Sequence, residues 1–373
     1  MKIAVLQAIW VALVVVLGVA AATPAPHDAL WRLSVGASAY GTLLAPLAFL
    51  PLLAWRPGDG PWLWVGCAVG TALLVAPFVR VLPLARALPD QLEAAFGPTR
   101  CLGDAPCTAS PLRVAGLLPL GPPRSPVAQH DFAPGLTLDL YHPGGPRPPV
   151  VVVVHGGSWQ RGDSTQLAPL NHYLAARGVA VAALNYRKAP ESPFPAARDD
   201  VLTGLRWLRD NAADLGLDMD RVVLLGRSAG GQLALSAARE TEVPLAGLVL
   251  FYPPLDLVWS WANPAPLRGY DSHATLRLYL GDSLAAAPER YRRASPLLDL
   301  QRAPPTLIVH GDADQLVSLT HSTRLASRLE ELGVPHLLVR VPGGKHGLDV
   351  NFSGAGAQVS TFAIDRFVAS ILE

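Results

Sequence analysis

Ser228 stands between two glycines in Gly226-Arg227-Ser228-Ala229-Gly230, directly after the apolar run Val222-Val223-Leu224-Leu225 and just before the helix-forming run Gln232 to Arg239. A serine on a sharp turn from strand to helix, with small neighbours, presents its hydroxyl at the end of a sheet and is placed to be a nucleophile. Any tight turn can carry this pattern, so the other parts of the chemistry have to be found elsewhere in the chain. A hydroxyl needs a base to take its proton, a group that holds the base in the right tautomer, and fixed donors where negative charge develops.

Each part has a candidate. His155-Gly156-Gly157-Ser158-Trp159 follows the β-branched run Val150 to Val154. Two glycines after a strand let the Gly156 and Gly157 N–H groups turn toward a bound carbonyl oxygen, and the Ala229 N–H adds a third donor of an oxyanion hole. The base is expected at His346, in the glycine-rich Gly343-Gly344-Lys345-His346-Gly347. His130, His142, His172, His273 and His321 are expected on solvated loops, linkers or helix faces, and His310 in a structural role at a strand end. For the acid, His310-Gly311-Asp312-Ala313-Asp314-Gln315-Leu316-Val317 offers two choices. Asp314 is preferred because it sits farther into the loop, where Leu316 and Val317 can fix its direction; Asp312 is the alternative.

These residues must be positioned by a sheet. Apolar runs at 149–154, 179–184, 222–225, 248–251, 306–309 and 336–341 alternate with helical stretches near 167–177, 195–213, 232–239, 320–332 and 360–372. That alternation predicts an α/β fold with a mostly parallel sheet covered by helices on both faces. Residues 258–300 break the rhythm and are rich in tryptophan and tyrosine, as expected of a small cap over the strand ends, where ligands of open α/β sheets bind.

The chain has 373 residues, a hydrophobic content of 50% and a mean hydropathy of +0.30. The apolar excess is local. Ile3 to Pro26, Leu33 to Trp55 and Pro61 to Val79 contain no Asp, Glu, Lys or Arg, and each supplies the roughly 20 residues a bilayer crossing needs. A cleaved signal is the rival reading of the first segment. The resulting division is a membrane region over 1–80, a connector over 81–130 and a catalytic domain over 131–373. Three crossings, or a signal and two, both leave that domain on the extracytoplasmic side. A net charge of +1 offers no basic field for nucleic acid. Cys101 and Cys107 flank a short loop and read either as a disulfide or as two free thiols. No second Cys or His pair lies near them to complete a metal site.

From about Leu136 onward the chain resembles the α/β-hydrolase esterases of the hormone-sensitive-lipase and feruloyl-esterase-like type. The resemblance is carried by Leu138-Asp139-Leu140-Tyr141, His155 to Trp159, Asn185-Tyr186-Arg187-Lys188-Ala189-Pro190-Glu191, Phe194-Pro195-Ala196-Ala197, Asp200, Gly226 to Gly231, and the Asp314 and His346 loops. It implies the α/β-hydrolase fold and a carboxylesterase with Ser228, Asp314 and His346 as triad, in the chain order of that fold. Gly156, Gly157 and Ala229 would form the oxyanion hole, and no metal or organic cofactor is called for. Ser158 stands where the family often has a third glycine. The same machinery also fits an amidase, an arylformamidase or a peptidase, and a hydrolase-like interaction domain is the non-catalytic alternative. The expected partners are a small-molecule or lipid-like ester and the lipid bilayer.

Overall fold

A computed structural model describes residues 2–57, 59–98, 100–103, 110–118 and 121–372. The β-branched run expected at the centre of the sheet forms β3 (Pro149–Val154), with every valine buried. Its side chains alternate between two cores, as the two-residue period of a strand requires. Val150, Val152 and Val154 join one core and Val151 and Val153 the other.

Among the described residues, the sheet around β3 has eight strands in the order β1-β2-β4-β3-β5-β6-β7-β8. The strands are β1 (Val127–Ala133), β2 (Leu136–Tyr141), β4 (Ala180–Leu184), β5 (Asp218–Arg227), β6 (Gly247–Phe251), β7 (Thr306–Gly311) and β8 (His336–Val341). The pairs β1–β2 and β2–β4 are antiparallel and the remaining pairs are parallel. This is the mostly parallel sheet that the alternation predicts, extended by an antiparallel edge, as the resemblance to the α/β-hydrolases implies.

Helices α5 (Ala196–Asp210), α6 (Ala229–Glu240) and α10 (Thr320–Glu331) cover one face, with Leu205, Leu233 and Leu325 in its core. The other face carries α4 (Ala168–Ala175) and α11 (Ala355–Leu372), with Leu174 and Phe367 buried there. Between β6 and β7 lie three short helices, α7 (Leu257–Ala262), α8 (Ser272–Leu280) and α9 (Pro288–Arg293), in the segment where a cap is expected.

Three N-terminal helices precede the sheet and are long and apolar enough to cross a membrane. They are α1 (Lys2–Ala22), α2 (Asp28–Leu44), which tightens into a 3₁₀ helix over Ala45–Ala54, and α3 (Trp62–Phe96). Small residues let them pack closely, as membrane helices do: a Cβ at Gly66 or Gly70 of α3 would lie 2.3 Å from Val11 or 2.5 Å from Val14 of α1. Leu6, Ile9, Leu13 and Val16 face outward from α1 and are exposed.

The expected connector over 81–130 is corrected at both ends. α3 does not stop near Val79 but runs on to Phe96 through Pro83 and Pro89. Val81, Ala85, Leu88 and Leu92 form a helical stripe that is buried in the same core as Val151 and Val153, and burying each leucine contributes about 1.5–3 kcal/mol. At the other end, 127–133 is an edge strand. Composition reads the whole 81–130 stretch as linker because tertiary burial is invisible in it. Cys107 lies outside the described residues, so the Cys101–Cys107 question does too.

Candidate active site

β5 ends at Arg227 and α6 begins at Ala229, which leaves Ser228 alone to turn the chain. Its φ is 53° and its ψ −122°, a conformation that costs a side-chain-bearing residue on the order of 1–3 kcal/mol. A Cβ at Gly226 would lie 2.3 Å from the Gly230 oxygen, and one at Gly230 would lie 2.2 Å from the Val154 oxygen. The turn is therefore tight enough to exclude side chains at both flanking positions.

The loop after β8 brings His346 to this serine. Its Nε2 lies 2.9 Å from Ser228 Oγ and its Nδ1 2.7 Å from Asp314 Oδ2. Asp314 Oδ1 accepts the Leu316 N–H at 2.8 Å and the Val317 N–H at 2.9 Å. Burial alone would push the Asp314 carboxyl up, but the charge of His346 and hydrogen bonds from His310 and His346 outweigh it and hold the group well below the usual carboxylate range. Asp312 instead accepts the Gly343 N–H at 2.6 Å. His310 is fully buried, 2.7 Å from the Ser322 hydroxyl and 3.0 Å from the Val317 oxygen, and also lies 3.3 Å from Asp314.

The residues expected as oxyanion donors are not equivalent. The Gly156 N–H donates to Gln166 Oε1 at 2.8 Å. Among the described residues, the Gly157 and Ala229 N–H groups have no acceptor. His155 holds the loop behind them: its Nδ1 lies 2.6 Å from the Gly156 oxygen and its Nε2 3.2 Å from Lys188 Nζ, while its ring stacks on Tyr186 at 4.2 Å. Burial and then the Lys188 charge push its pKa down to about 4. The ring is thus neutral at pH 7, with Nδ1–H donating and Nε2 accepting.

A cavity of about 200 Å³ opens beside Ser228, lined by Ser158, Trp159, Trp259, Tyr270, Leu276 and Leu316 among others. Helices α7 and α8 and the loop between them thus form its outer wall. His321, expected on a solvated helix face, is buried in that wall, 3.1 Å from the Ser260 hydroxyl. Burial, with the His310 and Arg324 charges behind it, pushes its pKa down to about 3. The helical pattern of α10 alone does not tell which face the cap covers. Gln166 was also missed, since a lone glutamine in a loop carries no motif.

The chain matches the BD-FAE family model over residues 138–329, a span that includes the His155–Trp159 turn, Ser228 and Asp314 and ends before His346. Esterase LipQ of Mycobacterium tuberculosis is 28% identical over 221 residues, 55% of this chain and 52% of that protein. Ethyl acetate hydrolase of Pseudomonas putida is 33% identical over 229 residues, 57% of this chain and 70% of that protein. Among solved structures, a hyperthermophilic esterase from the archaeon Pyrobaculum calidifontis superposes with a TM-score of 0.59 at 25% identity, covering 79% of this chain and 98% of that one. The chain spans about half the length of LipQ and of a second mycobacterial relative, LipM.

Proposed function

This chain belongs to the BD-FAE family, and we propose that it is a membrane-anchored serine hydrolase that cleaves carboxylic esters. The reading is carried by one observation, the chain of contacts from Ser228 Oγ through His346 to Asp314 at 2.9 and 2.7 Å. Ser228 attacks the ester carbonyl while His346 Nε2 takes its proton, and the Asp314 carboxylate orients the imidazolium and stabilises it. The Gly157 and Ala229 N–H groups meet the developing oxyanion, joined by Gly156 if the Gln166 amide gives way. His346 then protonates the leaving alcohol, and a water activated by the same histidine releases the acid from the acyl-enzyme.

Esterase activity in the named relatives supports the ester over the amide. The three apolar helices support an integral anchor, with the hydrolase domain on the extracytoplasmic side if three crossings start from the cytoplasm. Labelling of the full chain by a fluorophosphonate, with Ser228→Ala as control, tests the assignment. Labelling confined to the chain that retains Ser228 is expected, and equal labelling of the variant overturns it.

A further inference from the structure

The tip of the α1–α2 hairpin, residues 23–34, is clamped against the loops that carry His346 and Asp314. Lys345, the residue before His346, is buried and caps the C-terminal end of α1, donating to the Ala20 oxygen at 2.5 Å, to the Thr23 oxygen at 2.8 Å and to the Ser34 hydroxyl. Gln315, the residue after Asp314, holds Ala25 from both sides: its Oε1 accepts the Ala25 N–H at 2.7 Å and its Nε2 donates to the Ala25 oxygen at 2.9 Å. Farther along α2, the Ala39 oxygen accepts from Asn351 at 2.8 Å.

The same tip touches the cap. The Asp28 N–H donates to the Arg268 oxygen at 2.8 Å, and the His27 ring fills the space where Gly269 lacks a side chain. Two of the three loops that grip the tip also line the cavity beside Ser228, the cap loop through Tyr270 and the Asp314 loop through Leu316. Trp31 completes the arrangement. Its ring centroid lies 6.3 Å from that of His346, and its indole Nε1 is buried without a hydrogen-bond partner among the described residues. An unpaired buried donor costs about 1–3 kcal/mol, and the ring that carries it lies next to the His346 ring, just outside the residues that line the cavity.

We propose that the hairpin tip, with Trp31 at its centre, is a wall of the substrate mouth, and that the ester admitted there is a bilayer lipid whose acyl chain stays among the membrane helices while its carbonyl reaches Ser228. The inference rests on the esterase reading above and adds the substrate class. A helix that runs out of the lipid and ends against the catalytic loops fixes the mouth at the membrane surface. A water-soluble ester would need no such wall. The Trp31 N–H has the chemistry to hold a carbonyl or ester oxygen of the incoming lipid as its chain leaves the hydrocarbon.

The test uses the full chain reconstituted in phosphatidylcholine vesicles. 4-Methylumbelliferyl palmitate is placed either in the same vesicles or in separate ones, and 4-methylumbelliferyl acetate in the water. Palmitate in the same bilayer should be hydrolysed at least about tenfold faster than palmitate in separate vesicles at equal bulk concentration. Trp31→Phe, which keeps the ring and removes the donor, and Trp31→Ala should lower kcat/KM for bilayer palmitate relative to acetate about fivefold or more, the size of one lost hydrogen bond. Equal palmitate rates in the two placements, or both Trp31 variants shifting the two esters by the same factor, would overturn the proposal. Acetate hydrolysis without palmitate hydrolysis ends this inference alone. Loss of both, with Ser228 unlabelled by a fluorophosphonate, ends the esterase reading itself.

Discussion

Arg227 and Asp349 form a buried ion pair, Nε to Oδ2 at 2.7 Å, that ties the residue before Ser228 to the turn after His346. Both side chains are almost out of solvent, at 3% and 7% exposure. Tyr252 donates its hydroxyl to the other Asp349 oxygen at 2.5 Å, and its ring lies 4.4 Å from that of His346. The strand that ends before Ser228 and the loop that carries His346 are far apart in sequence, and this pair ties them together.

Asp349→Ala leaves the Arg227 guanidinium buried and uncompensated, which should cost about 3–5 kcal/mol. Replacing both partners by apolar residues, as in Arg227→Met with Asp349→Leu, should recover part of that loss, because the desolvation penalty disappears with the charges while the Tyr252 hydroxyl stays without its acceptor. Thermal unfolding of the solubilised full chain measures both. A double variant no more stable than Asp349→Ala would show that the pair does more than compensate its own burial.

The two loop carboxylates should separate cleanly in kinetics. Asp314→Asn removes the charge that faces His346 and favours the wrong imidazole tautomer, with an expected fall in kcat of about 10³–10⁴-fold. Asp312→Asn affects only the Gly343 N–H and a loose, exposed ion pair with Arg340 at 3.7 Å, neither of which involves His346, and should stay within about threefold of the parent enzyme, as exposed substitutions usually do. Initial rates on a soluble aryl acetate at pH 7.5 decide it, and comparable losses in both variants would reopen the choice of acid.

The buried histidines predict acid lability. His155 and His321 have pKa values pushed down to about 4 and about 3, below the roughly 6.5 of an unfolded chain. Between those values the unfolded state binds more protons, so stability is complete above about pH 6.5 and falls as the pH drops, by about 1.4 kcal/mol per unit for each histidine. The lowered Asp314 carboxyl enters later, since its contribution is lost only below the ordinary carboxylate range near pH 4. Unfolding midpoints at pH 7.5 and pH 5 should therefore differ more in the parent chain than in His321→Gln. An identical pH dependence in the two would mean that His321 titrates normally.

The strands and the residues gathered at their C-terminal ends were legible because each carries a local signal. Val150 to Val154 is β-branched without interruption, Gly226 and Gly230 mark a turn, and His346 sits among glycines. What stayed hidden depends on contacts between distant segments. Nothing in Arg227 or Asp349 announces a partner more than a hundred residues away, and Leu88 and Leu92 look like part of a proline-punctuated linker until the sheet covers them. Trp31 falls between the first two apolar segments and carries no motif, and only the loops that grip the hairpin bring it beside His346.

Gln232, on the first turn of α6, links the Gly156–Trp159 loop to the cap. Its Oε1 accepts the Trp159 indole N–H at 2.9 Å and the Tyr279 hydroxyl at 3.3 Å, and its Nε2 donates to the Ala294 oxygen at 2.8 Å. Trp159 in turn stacks flat on Tyr279, with ring centroids 4.1 Å apart. Gln232→Leu keeps the volume but strands these buried groups, which should destabilise the protein by about 2–4 kcal/mol. Because Trp159 follows Gly157 and Ser158, the same change should loosen the donor loop and lower kcat about tenfold beyond any loss of folded protein. Active-site titration with a fluorophosphonate gives the concentration of competent enzyme, so kcat per titrated site separates the two effects. A variant that melts lower yet turns over normally per site would confine the Gln232 network to stability.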